Sequence, residues 1–199
     1  MALVSRSLEV GAVATSRADS LAAYVVAVDT AWALILSAPD DADAHYIYAV
    51  ALGQRLELAG TRDKIRLGAA TRAEAEAALV LDPDHAGAHH VLGRLNAATM
   101  RLGFVSRFLA KRLLGAKAME GASWELAEHH FTRARELEPE NPRHLMELGA
   151  LYSDTNRPTE ALEALELAIA APRTDVGDSL AVERAVELIA SLDCRSCDA

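Results

Sequence analysis

Apolar residues recur along this chain at helical spacing, and the clearest stretch runs from Ser123 to Pro172. There Leu145, Leu148, Gly149 and Tyr152 fall at i, i+3, i+4 and i+7, one face of a helix, and Ala161, Leu165 and Ala168 form the facing stripe of the next. Pro139 and the Asn141-Pro142 pair interrupt the chain just before the first of these helices. The stretch also repeats itself, because Ala127 and Ala161, Phe131 and Leu165, and Ala134 and Ala168 are each 34 residues apart. Gly149 and Ala161 are small enough for two helix axes to approach, and enlarging such a crossing costs roughly 1 to 3 kcal/mol. One such pair leaves apolar surface on both sides, so further pairs must cover it.

Outside this stretch, residues 17–38 and 42–58 read as helices parted by Pro39-Asp40-Asp41, and 61–81 as a long helix stopped by Asp82-Pro83. Residues 1–16 carry no strong period and contain Gly11, so they are expected to be loosely ordered. Ala78 and Pro83 lie 56 residues before Ala134 and Pro139, which is 22 more than the period. The excess maps to 97–118, after His89, Leu92, Gly93 and Asn96 restore the signature and before the next helix at Ser123. Beyond Ala171-Pro172, a final helix near Asp178 places Leu180, Val182, Val186, Ile189 and Leu192 on its apolar side and is expected to cap the array. The fold predicted is all-α: a right-handed solenoid of about nine helices forming a single domain over 17–192, with a basic helix inserted at 97–118 and a flexible tail at 193–199.

The period, the Leu145, Leu148, Gly149, Tyr152 signature and the proline breaks together resemble a tetratricopeptide repeat. The segment order narrows this: an over-long second helix, then AHHVLGRL, a basic RFLAKRLLGA, and SWELAEHHFTRARELEPENPRHLMELGALY. That order is similar to the regulator of microtubule dynamics family over roughly residues 40–192, its most specific part being the interrupted repeat. The resemblance implies a helical scaffold, with several members attached to organelles, and implies no catalytic residue.

Composition supports a helical core, being 51% hydrophobic with only 5% aromatic residues. The net charge of −9 argues against a nucleic-acid partner, which needs a basic surface. Segment 97–118 departs from this, with Arg101, Arg107, Lys111, Arg112 and Lys117 and no acid, against −14 in the remainder. These five cations are the candidate contact with an anionic surface, while Phe104, Phe108 and Leu109 suit a strut packed on the repeats, which is the favoured reading. Leu21 to Ala38 is the most apolar run, but Asp29 lies at its centre, so it is expected to be an amphipathic capping helix rather than a span. A cytoplasmic location is therefore expected, with a membrane-peripheral or exported one as the alternative.

First helices of tetratricopeptide pairs line a concave groove, and residues off the packing stripe face it. Here those are His90, Arg94, Arg143, Met146, Ala150, Ser153 and Asp154, a mixed polar floor suited to an extended, acidic partner segment. His85, His89, His129 and His130 are read as core or surface histidines, because no Glu-bearing metal motif accompanies them. Cys194 and Cys197 are a lone pair in the tail and are assigned no role. No phosphate loop, activated nucleophile or carboxylate pair is present, so the function expected is a non-enzymatic, protein-binding scaffold that takes no cofactor or metal.

Overall fold

The structure, a computed structural model, describes residues 1–102 and 122–197. Nine helices occur among them: α1 (Ala2–Val13), α2 (Arg17–Ser37), α3 (Ala42–Glu57), α4 (Thr61–Leu81), α5 (Ala86–Arg101), α6 (Trp124–Leu137), α7 (Pro142–Asp154), α8 (Pro158–Ala170) and α9 (Val176–Cys197). No strand is found among the described residues. The helix starts carry the signals expected of them: Ser16 and Ser123 accept backbone N–H bonds as N-caps, and Asn141 caps α7 with Pro142 at its first turn.

The helices pair as α1 with α2, α3 with α4, α5 with α6 and α7 with α8, and α9 lies against both α7 and α8. Each junction has its own apolar cluster rather than a share of one central core. Val4, Ala27, Val28, Ile47, Leu52 and Leu67 hold the first two pairs together, and Ala49, Ala75, Val91 and Leu92 join the second pair to α5. Ala97, Ala127, Phe131, Leu148, Leu151 and Ala164 link α5 through α8. Leu145, Met146, Ala150, Leu165, Ala168, Ala181 and Ala185 seat α9. First helices also follow one another in a row, α1 touching α3, α3 touching α5, α5 touching α7 and α7 touching α9; α1 touches α9 as well, so the row returns on itself.

Four sequence expectations are corrected. Residues 1–16 are not loosely ordered, since α1 fills most of them and Val4 is fully buried. Gly11 is a crossing point rather than a break, because a Cβ there would overlap the Tyr24 ring of α2. It follows that α2 is not the end of the array; it is packed by α1 on one side and α3 on the other. The segment placed at 97–118 also begins later, since α5 continues to Arg101, with Ala97 buried beside Phe131. The tail expected to be flexible from 193 is helical as far as Cys197. The remaining inserted cations, Arg107, Lys111, Arg112 and Lys117, and the strut residues Phe104, Phe108 and Leu109, lie outside the described residues.

Close approach at small residues sets the pair geometry. A Cβ on Gly93 would stand 2.6 Å from the Phe131 ring, and one on Gly149 would stand 2.5 Å from Leu165 and 3.2 Å from the Ala161 carbonyl oxygen. Phe131 and Leu165 are fully buried and have no room to retreat. Gly53, in the interior of α3, is different, because its Cβ would meet only the Thr71 methyl at 3.8 Å. Gly149→Ala is therefore expected to lower stability by roughly 1 to 3 kcal/mol through overpacking. Gly53→Ala should raise it by about 0.5 to 1 kcal/mol through helix propensity. Chemical denaturation of the two variants checks the opposite signs.

Candidate functional site

The residues predicted to floor a groove do converge on the row of first helices, but the chain itself engages most of them. Arg94 of α5 reaches Glu57 of α3 through Nη2 at 2.6 Å and Glu147 of α7 through Nε at 3.2 Å. Arg143 at the start of α7 meets Asp178 through Nε at 2.8 Å and also Asp175, tying α7 to the first turn of α9. Asp154 accepts from Arg101 Nε at 2.7 Å, so this cation, expected to face an anionic surface, instead bridges α5 and α7. Met146 and Ala150 are buried under α9 and are not a groove floor. They fail that role because a capping helix occupies the place that a further first helix would take. Ser153 is half-buried.

Glu147 is the residue that the sequence reading left without a role. Its side chain is 4% exposed, and Oε2 has no hydrogen-bond donor among the described residues. A buried carboxylate demands a cation, and Arg94 supplies it. Burial works against the Arg94 charge, yet Glu147 and then Glu57 more than offset this and hold its pKa above the ordinary value. The signal available in the sequence was an acid set one residue before the Leu148-Gly149 crossing, within an otherwise apolar turn.

The histidines form a second polar layer across the same joints. His89 Nε2 faces the Pro83 carbonyl oxygen at 3.1 Å, an atom that only accepts, so the proton sits on Nε2. Its Nδ1 then accepts from His130 Nδ1–H at 2.9 Å. The same logic holds for His144, whose Nε2 donates to Glu138 at 3.0 Å while its Nδ1 accepts from His90 Nδ1–H at 2.9 Å. His85 caps α5 by accepting from the Ala88 N–H, and its Nε2 donates to Asp43 at 3.1 Å. No group of three or more His, Cys, Asp or Glu able to hold a metal is found among the described residues.

Three of these rings, His89, His90 and His130, are pushed toward the neutral form. Burial, then His144, Arg94 and Arg143, push His90 well below its usual pKa. Burial, then His89, His129 and Arg72, lower His130 to about 4, and His89 is lowered chiefly by burial. Glu138 is lowered to about 2, the hydrogen bond from His144 being the largest cause.

Four helix pairs in sequence order, a terminal helix and inter-pair joints closed by small residues and ion pairs define a tetratricopeptide-type α-solenoid. Its architecture is shared with TTC0263, a thermophilic TPR protein of Thermus thermophilus. That match has a TM-score of 0.55 at 19% identity and covers 84% of this chain and 75% of the other. The family described as "RMD1-3: Regulator of microtubule dynamics protein 1-3" matches residues 3–193, and the chain belongs to that family. Regulator of microtubule dynamics protein 3 of Bos taurus is 28% identical over 141 residues, 70% of this chain and 30% of its own length. Protein 2 of the same organism is 26% identical over 139 residues, 69% of this chain and 33% of its own. The chain thus spans about a third of the length of these curated relatives.

Two outcomes test this site. Arg94→Met strands Glu147 and should cost about 3 to 5 kcal/mol, whereas Arg94→Met with Glu147→Leu should recover most of it, as measured by denaturant unfolding. The histidines give a pH dependence with a defined sign. His130 has a folded pKa of about 4 against an ordinary 6.5, so the unfolded chain binds the proton first. Its contribution is complete above pH 6.5 and is lost as pH falls toward 4, with His90 and His89 acting in the same sense. Glu138 extends the loss below its ordinary 4.5, while His45, raised above 6.5 by Glu74 despite burial, changes its contribution only above pH 6.5 and leaves this window alone. The melting temperature should therefore fall between pH 6.5 and 4, and His130→Phe should flatten that slope.

Proposed function

We propose that this chain is a non-enzymatic protein-interaction scaffold whose partner approaches the row of first helices and brings cations or N–H donors rather than acidic groups. The observation that carries this reading is the charge balance of that row. Glu57, Glu147, Asp154, Asp175 and Asp178 meet Arg94, Arg101 and Arg143, so every one of these guanidinium groups is already matched by carboxylate. An acidic segment would find no unpaired cation among them. Glu57, half-exposed at the end of α3, is the place where an incoming positive or N–H group gains most. The microtubule dynamics named for the bovine relatives belongs to proteins more than twice as long. The scaffold role is proposed for the shared helical array alone.

Crosslinking capture with the full chain as bait tests the reading. Glu57→Lys should reduce recovery of the partner several-fold while leaving the melting temperature within a few degrees, since an exposed pair contributes only about 0 to 1 kcal/mol. Undiminished capture by Glu57→Lys would move the binding surface off this row.

A further inference from the structure

The N-terminal face of the array is built like an internal joint and is left open among the described residues. Repeat arrays need a polar outer face on their terminal units, because each unit has a neighbour-facing side that water must otherwise wet. The far end meets this need, since Leu180 and Val186 of α9 are exposed but stand among the exposed charges of Glu183, Arg184 and Glu187. The near end does not. On α1, Leu3, Arg6, Ser7 and Val10 fall at i, i+3, i+4 and i+7; on α2, Asp19, Ala22, Ala23 and Val26 fall at the same spacing. Together the two stripes line one shallow groove on the side away from the buried Val4, Ala27 and Val28. Leu3 is 58% exposed, Val10 52% and Val26 48%, and Val13 at the end of α1 is 60% exposed. Contiguous apolar surface of this sort marks a contact site. The alternation of large residues with Ser7, Ala22 and Ala23 repeats the large-against-small pattern by which Phe131 meets Gly93 inside the array.

We infer that this face joins two copies of the chain in an isologous dimer, α1 of each copy lying over α2 of the other. The charges select that occupant. Arg6 and Asp19 are both exposed on the groove, and Arg6 has no ion pair among the described residues. The hairpin of α1 and α2 places Arg6 further from the turn than Asp19. A two-fold axis lying in the interface, between α1 and α2 and inclined to them, therefore brings Arg6 of each copy toward Asp19 of the other, twice over. A self-complementary patch of this kind closes at two subunits. A lipid surface would leave Asp19 facing the bilayer without a cation, and head-to-tail stacking would set the apolar stripes against the charged outer face of α9.

Sedimentation velocity of the full chain across a wide concentration range reads this directly. A reversible monomer–dimer equilibrium is expected. Val26→Glu and Arg6→Glu should each raise the dissociation constant by about tenfold or more, which corresponds to about 1.4 kcal/mol. Adding Asp19→Lys to Arg6→Glu should restore association, and Leu180→Glu at the far end should leave it unchanged. Melting temperatures confirm folding of each variant, and Val10→Glu replaces Val26→Glu if the latter unfolds. A chain that stays monomeric at every concentration overturns the dimer, as does one whose association survives both Val26→Glu and Arg6→Glu. Loss of association with Leu180→Glu alone would assign head-to-tail stacking instead. A monomer that sediments with phosphatidylcholine vesicles in a Val26-dependent way would give the face to lipid.

Discussion

The contact of the Phe131 ring with the backbone of Gly93 is the constraint on which the array depends. Every other pair is a hairpin whose two helices are joined by a turn of a few residues, so chain connectivity alone keeps the partners near each other. The helices α5 and α6 have no such help, because Arg101 and Trp124 are separated by the whole inserted segment. What holds them as a pair is the fit of a fully buried aromatic ring against a residue with no side chain, with Ala97, Ala127 and Leu148 packed around it. If that crossing widens, the two halves of the solenoid lose their shared joint. The insertion is tolerated because packing, not the loop, defines the pair, as loop-closure entropy grows only slowly with length.

Much of this was legible in the sequence because helical repeats write their packing as a period. The stripes at Leu145, Leu148 and Gly149, the 34-residue pairs and the Asn141-Pro142 start all appear where the structure places α6, α7 and α8. The first helix was not legible. Its inward stripe is Val4, Leu8 and Gly11, and a glycine in so short a run reads as a break unless the Tyr24 ring it receives is known. The start of the insertion was misplaced for a related reason. Counting the period locates where the repeat stops matching, whereas α5 stops where its hydrogen bonds do, at Arg101.

The site was less legible than the fold. Periodicity says which residues lie off the packing stripe, and His90, Arg94 and Arg143 are indeed on the row of first helices. It does not say how tightly the row curves or what else enters it. Met146 and Ala150 were lost to α9, and Arg94 and Arg143 to carboxylates on other elements, such as Glu57, 37 residues from Arg94. The histidine pairs were equally hidden, since His90 and His144 are 54 residues apart and share one hydrogen bond. Long-range polar pairing carries no period, so only the three-dimensional arrangement exposes it.

Contact between α1 and α9 changes what kind of object the array is. An open solenoid is nearly one-dimensional, so its end units can melt away one at a time while the middle survives. Here the first and last helices brace each other, and neither end is a free end in that sense. Loosening α1 withdraws support from α9, which in turn seats α7 through Met146 and Ala150. The two tips of a chain built from repeated local units are thereby brought into contact, so that opening one is felt at the other.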